Sequence, residues 1–146
     1  MRKWMIVSLL MFFICSKGFG QQNQIGKSKV STEKQKDVML KDIFRGNIPA
    51  NGYENTTELV LEHQKYYDIG AFTLSETSKS GTLTRKGQWT VIKGSAKDEN
   101  ATVVELDIAG NTEYFLRMKN GNLQKLDTAL REIKPVGKNI LVKQGK

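Results

Sequence analysis

Side chains able to do chemistry are few and far apart in this chain of 146 residues. There is 1 histidine, His63, and 1 cysteine, Cys15. A lone histidine leaves little room for a histidine-centred triad. A lone cysteine excludes an internal disulfide and a cysteine-rich metal site within one chain. His63 and the nearby Asp68 offer a metal two ligands, short of the four that a structural zinc site takes. No phosphate-cradling glycine loop, Gly-x-Ser-x-Gly elbow or recognisable carboxylate pair occurs. The sequence therefore predicts no catalytic residue, no metal ligand set and no cofactor. Polar and aromatic recognition remains. Asn51, Tyr53, Glu54 and Asn55 form one candidate binding stretch, and His63, Tyr66 and Tyr67 form another. The tyrosine pair reads first as half-buried strand ends, and alternatively as the rim of a barrel mouth.

Those residues need elements to hold them, and from Phe44 onward the texture is that of an all-β chain. Apolar residues alternate with polar ones, as in half-buried antiparallel strands. Leu59 and Leu61 share a face, as do Phe72 and Leu74, then Gly87, Trp89 and Val91, then Val104, Leu106 and Ile108. In 112–119 the same reading groups Tyr114, Leu116 and Met118 inward and leaves Phe115 on the opposite face. A first strand falls around Phe44-Arg45-Gly46 and a last one near Ile140-Leu141-Val142. Asn120-Gly121 reads as a type I′ hairpin turn, and Gly110-Asn111 links the two strands before it. Residues 33–44 and 129–133 each read as a short helical turn, the first also as a plain lead-in. About eight short strands joined by hairpins predict a small antiparallel up-and-down β-barrel, lipocalin-like, since closure removes exposed edges.

The N-terminus has a different character. Arg2 and Lys3 precede an almost wholly apolar run from Trp4 to Cys15, followed by small residues at 18 and 20. That is the shape of a secretory signal peptide over 1–20, and the run is shorter than the roughly 20 residues of a membrane span. Lipidation at Cys15 is the alternative that would give membrane association, although Ile14 is larger than the small residue such signals favour. Residues 21–40 read as a polar flexible leader and 41–146 as the folded domain. Lys and Arg number 23 against 15 acids, a net charge of +8. Arg2, Lys3 and Lys17 fall in the signal, so the remainder carries 20 bases and 15 acids, net +5. The bases are interspersed with acids, so no nucleic-acid partner is expected. Arg85-Lys86 and Lys93 through Lys97 read as a solvated basic edge.

The order of landmarks carries a resemblance. Phe44-x-Gly46-x-Ile48-Pro49 is followed by Thr56-Thr57-Glu58-Leu59-x-Leu61 and Phe72-Thr73-Leu74-Ser75-Glu76. Gly87-Gln88-Trp89, Tyr114-Phe115-Leu116 and Leu123-x-x-Leu126-Asp127 come next. This resembles the N-terminal domain of NlpE-type envelope lipoproteins, often labelled copper-resistance proteins, over about residues 42–143. The resemblance implies a lipocalin-related barrel in a bacterial envelope, periplasmic or secreted, with a role in envelope stress, and a tryptophan, Trp89, closing one end of the core. The family's Cys-x-x-Cys after the Pro49 position is replaced here by Ala50-Asn51-Gly52-Tyr53-Glu54-Asn55, which offers no soft ligand for Cu(I). The function expected is a non-enzymatic envelope module that binds a protein partner or a small ligand through loops 47–56 and 63–69 at one end. The alternative is a lipocalin-like carrier of a small apolar ligand inside the barrel.

Overall fold

The computed structural model describes residues 38–50, 53–135 and 137–145, so the signal segment, Cys15 and the leader up to residue 37 lie outside it. Eight strands follow one another: β1 (Met39–Ala50), β2 (Tyr53–Gln64), β3 (Ile69–Ser78), β4 (Gly81–Lys93), β5 (Thr102–Ile108), β6 (Asn111–Arg117), β7 (Leu123–Leu126) and β8 (Ile140–Lys143). Each pairs antiparallel with the next, and β8 returns to β1, so the sheet closes into an up-and-down barrel. The expected all-β barrel is thus the observed fold. β1 begins at Met39, which replaces the helical turn anticipated over the described part of 33–44. Its early residues alternate too weakly to signal a strand, and pairing with β2 along the whole of β1 supplies what local pattern lacks.

Alternation does fix most of the interior. Phe44, Leu59, Leu61, Phe72, Leu74, Trp89, Val104, Leu106 and Ile108 are buried in one cluster with Ile48, Phe115, Leu123 and Leu141. The β6 assignment is reversed. Val104 faces Phe115 across the ladder, which turns Phe115 into the core and Tyr114 and Leu116 outward. The outward pair is apolar because that side of the wall is covered too. Val103 and Leu126, on the outward parity, are also buried. The chain after β7 folds back along the barrel, with Leu126 bridging Glu132 and the Ala96 amide donating to the Leu130 carbonyl. A strand covered on both faces loses its period-2 signature.

That connection is not helical. The Asp127 carboxylate accepts the Ala129 and Arg131 amides and the Arg131 guanidinium, folding the chain into a tight turn. Competition of this kind for backbone N–H groups is why aspartate favours turns over helix interiors. The hairpins also exchange roles. Ala109 and Gly110 both take positive φ, 29° and 93°, and form the two-residue turn of β5–β6. At Asn120-Gly121 only Gly121 does, with φ 85° and its amide bonded to the Met118 carbonyl, giving a three-residue loop with a glycine bulge.

Glycines on inward positions allow the wall to curve. A Cβ on Gly70 would sit 1.8 Å from the Glu62 carbonyl oxygen and 3.1 Å from the Trp89 indole nitrogen. The Trp89 side chain lies across that gap, donating from Nε1 to the same carbonyl at 3.2 Å. Gly70→Ala should therefore cost roughly 1–3 kcal/mol by overpacking against backbone, read as a lower urea midpoint, whereas Gly110→Asn should change it far less.

The Arg131 amide, opposed by desolvation and aided by the Arg131 side chain and the Ala129 amide, holds the Asp127 carboxyl below its usual value. A depressed carboxylate stabilises the native state above its unfolded value and loses that contribution as pH falls through the native one. Protection of the Ala129 and Arg131 amides should thus decline on acidification below the ordinary 3.8. Asp127→Asn should abolish that pH dependence in hydrogen exchange.

Candidate functional site

The meander sorts the loops into two sets. The β1–β2, β3–β4 and β5–β6 turns and the start of the β7–β8 connection lie at one end. The β2–β3, β4–β5 and β6–β7 loops lie at the other with the first residues of β1. The two candidate binding stretches are consequently not one site. Asn55 and His63 both belong to β2, separated by roughly 26 Å at about 3.3 Å per residue. The expectation that loops 47–56 and 63–69 share an end is overturned by this register. Sequence spacing says nothing of direction once a strand runs the full height of the wall.

At the first end, Asn51 lies outside the described residues, and Tyr53 is placed only by its backbone pairing with Ala50. Glu54 is exposed opposite Pro49. Asn55 pairs with Ile48, and its Oδ1 is buried without a partner among the described residues. Below them the inward face carries charges that the sequence reading left out. Arg85 donates to Glu113 at 2.7 Å and to Glu76 at 2.5 Å, and Lys125 Nζ lies 3.0 Å from the second Glu113 oxygen. Burial opposes the guanidinium charge. The Glu113 and Glu76 carboxylates outweigh it and hold Arg85 above its ordinary value. Thr57, 1 % exposed, turns onto the same face a hydroxyl without a partner among the described residues. This group balances two cations against two carboxylates, and a surface cleft of about 380 Å³ lined by Asn55, Glu76 and Leu83 opens at the same end. Only Arg85 carried a signal in the alternation, sharing the parity of Gly87 and Trp89; Glu113 shares that of Phe115, which the same reading turned outward.

The opposite end is built differently. His63 points inward, edge-on to Trp89 at 5.9 Å, with Nε2 3.7 Å from Asp42 and Nδ1 3.0 Å from the Gln64 carbonyl. Asp68 is 3.5 Å from Arg117, its carbonyl accepting the Val91 amide, and so belongs to the loop's own anchorage. Among the described residues no three His, Cys, Asp or Glu side chains gather as a metal would require. Tyr66 and Tyr67 project from the loop, Tyr66 90 % exposed and Tyr67 59 %. The Tyr67 amide bonds back to the Gln64 carbonyl, and Tyr66 takes φ 73°. That is the third position of a type II turn, which glycine or asparagine favours. A bulky side chain there costs about 1–2 kcal/mol. Val38, Met39 and Ile69 are exposed at the same end, and Met39, Tyr67 and Ile69 line a surface cleft of about 330 Å³ floored by His63 and Gly70.

Three clefts lined by described residues open at the surface, and the inward face of the barrel carries the buried apolar cluster. Comparison of the chain with family models, with curated proteins and with solved structures finds no match. The geometry alone therefore separates an end whose inward charges are matched from one bearing exposed aromatic and aliphatic side chains.

Arg85→Met removes the cation from between Glu76 and Glu113. Breaking a buried ion pair costs about 3–5 kcal/mol, and partial exposure here reduces that to roughly 1–3 kcal/mol. The loss should appear in chemical denaturation at pH 7 and shrink at acid pH, where protonation of the glutamates relieves their repulsion. A loss equal at both pH values would show that the carboxylates do not drive it.

Proposed function

We propose that this chain is a non-enzymatic binding module of the bacterial cell envelope, exported by its N-terminal segment and related to the N-terminal domain of NlpE-type lipoproteins. It binds through the rim formed by Tyr66, Tyr67, Met39 and Ile69. The observation that carries the reading is Tyr66. A fully solvated aromatic at a glycine-favouring backbone position contributes nothing to the core and costs stability. Strain kept at an exposed side chain points to use of that side chain. The alternative, a carrier of a small apolar ligand, needs an internal chamber of roughly 300 Å³ or more; the exposed rim favours the surface-binding reading. The loop 50–55, without cysteine or methionine, supports a role that does not involve Cu(I).

Tyr66→Gly separates binding from folding. It relieves the positive-φ strain, so the thermal midpoint should hold or rise by the equivalent of about 1 kcal/mol. A photo-crosslinking side chain at position 67 should form adducts in intact cells, and Tyr66→Gly should remove most of them. The same side chain at Ser80, on the far end, should form few. Equal adducts from both ends, or adducts indifferent to Tyr66→Gly, would sink the proposal.

A further inference from the structure

We infer that the barrel mouth at the β1–β2 end binds a small neutral polyhydroxylated ligand, of the sugar or polyol class; the site is separate from the Tyr66 rim at the other end. A cleft of about 380 Å³ opens there, within the roughly 300–1,000 Å³ of small-molecule sites. Asn55, Glu76, Ser78, Ser80 and Leu83 line it. The register makes Thr57, Glu76 and Leu83 one row across β2, β3 and β4. Thr57 thus shares an inward row with two residues of the cleft. Asn55, two positions along β2 on the same face, lines the cleft directly.

Four polar atoms of this face are left over by the fold. Asn55 Oδ1, the Thr57 hydroxyl, Arg85 Nε and Glu113 Oε2 are buried, and none has a hydrogen-bond partner among the described residues. Glu113 Oε2 keeps only its ionic contact with Lys125 at 3.0 Å. Arg85 ties the group together, donating to Glu113 and to Glu76 of the cleft. Buried polar groups in folded proteins are nearly always paired, so four in one place call for a partner from outside the chain. Their chemistry names it. Two accept only, one donates only, and the threonine hydroxyl does either. Ligand hydroxyls, each donating and accepting through one atom, match that mixture. An ion does not. Arg85 and Lys125 cancel Glu76 and Glu113, so neither sign of charge gains from the field. Arg85 directs both terminal nitrogens at the glutamates and leaves the Nε–H alone, one prong of the fork that a carboxylate or phosphate takes. The exposed Leu83 side chain offers the carbon face of a sugar ring an apolar contact.

The experiment records nitrogen–proton NMR spectra of the full chain, with glucose, N-acetylglucosamine and myo-inositol as probes raised into the millimolar range. At least one should shift the amides of Glu76, Ser78 and Leu83 saturably, together with the Arg85 Nε–H signal, which reports the unpaired donor itself. The amides of Gln64 and Tyr67, at the other end, should stay. Thr57→Val and Asn55→Ala should each weaken the response about fivefold, as for one lost hydrogen bond. Thr57→Val should also keep or raise the thermal midpoint, because it removes an unpaired buried hydroxyl. Silence with all three probes, equal shifts at both ends, or a response indifferent to both substitutions would overturn the inference. A fall in the Thr57→Val midpoint would overturn it too, by showing that the fold or an internal water already satisfies the hydroxyl. Acetate or glycine producing the same shifts would overturn the assignment to a neutral hydroxylated ligand.

Discussion

Closure of the sheet is the constraint on which the rest depends. β1 and β8 meet at only two register pairs, Phe44 with Lys143 and Arg45 with Val142, and the Gln144 amide adds a bond to the Ile43 carbonyl. No disulfide can reinforce that seam, because the only cysteine lies at position 15. It holds because Gly46 lets β8 approach: a Cβ there would stand 2.2 Å from the Ile140 carbonyl oxygen. Leu141 beside it is fully buried. Backbone contact at the seam and apolar packing beneath it are thus one arrangement. Widening either would open an edge able to pair with another chain.

Closure also limits the interior. Eight short strands enclose a space that side chains can fill, and the buried residues that face it are leucine, isoleucine, valine, phenylalanine and tryptophan. Toward the β1–β2 end the inward positions become Thr57, Glu76, Arg85, Glu113 and Lys125. Four charges on an inner wall would be ruinous alone, yet each carboxylate has a cation within 3.0 Å. Such pairs add little net stability over apolar residues of the same size. Their effect is specificity, since a one-residue slip of β4 would take Arg85 off the face it shares with both glutamates.

Much of this was legible in the sequence, and the failures have physical causes. Leu59, Leu61, Phe72, Leu74 and Trp89 alternate cleanly because β2, β3 and the lower part of β4 face water on their outer side. Phe115 was misplaced because the 127–139 connection makes the outer face of β6 apolar as well, so that Tyr114 and Leu116 compete with it for the inward assignment. Asp127 nucleates a turn where apolar spacing suggested a helix, because its carboxylate captures amides that a helix would use. The tyrosines at 66 and 67 were legible as a loop tip. Their separation from Asn51 to Asn55 was not, because strand direction is a property of topology. The positive φ at Tyr66 has no sequence signature, as tyrosine is among the last residues one would assign to it.

The two ends of the barrel resolve one problem in opposite ways. Each must terminate an apolar interior against water. At the β1–β2 end, inward charges neutralise one another and finish the core with polar groups. At the other end, Trp89 covers Gly70 and bonds the Glu62 carbonyl, and His63 closes over the indole edge. The core there is already sealed before the chain reaches Tyr66. Tyr66 stands outside that seal and strains the backbone that carries it, while Met39, Tyr67 and Ile69 are partly covered and line the cleft with His63 and Gly70. A sequence under selection for stability alone would place glycine or asparagine at that turn.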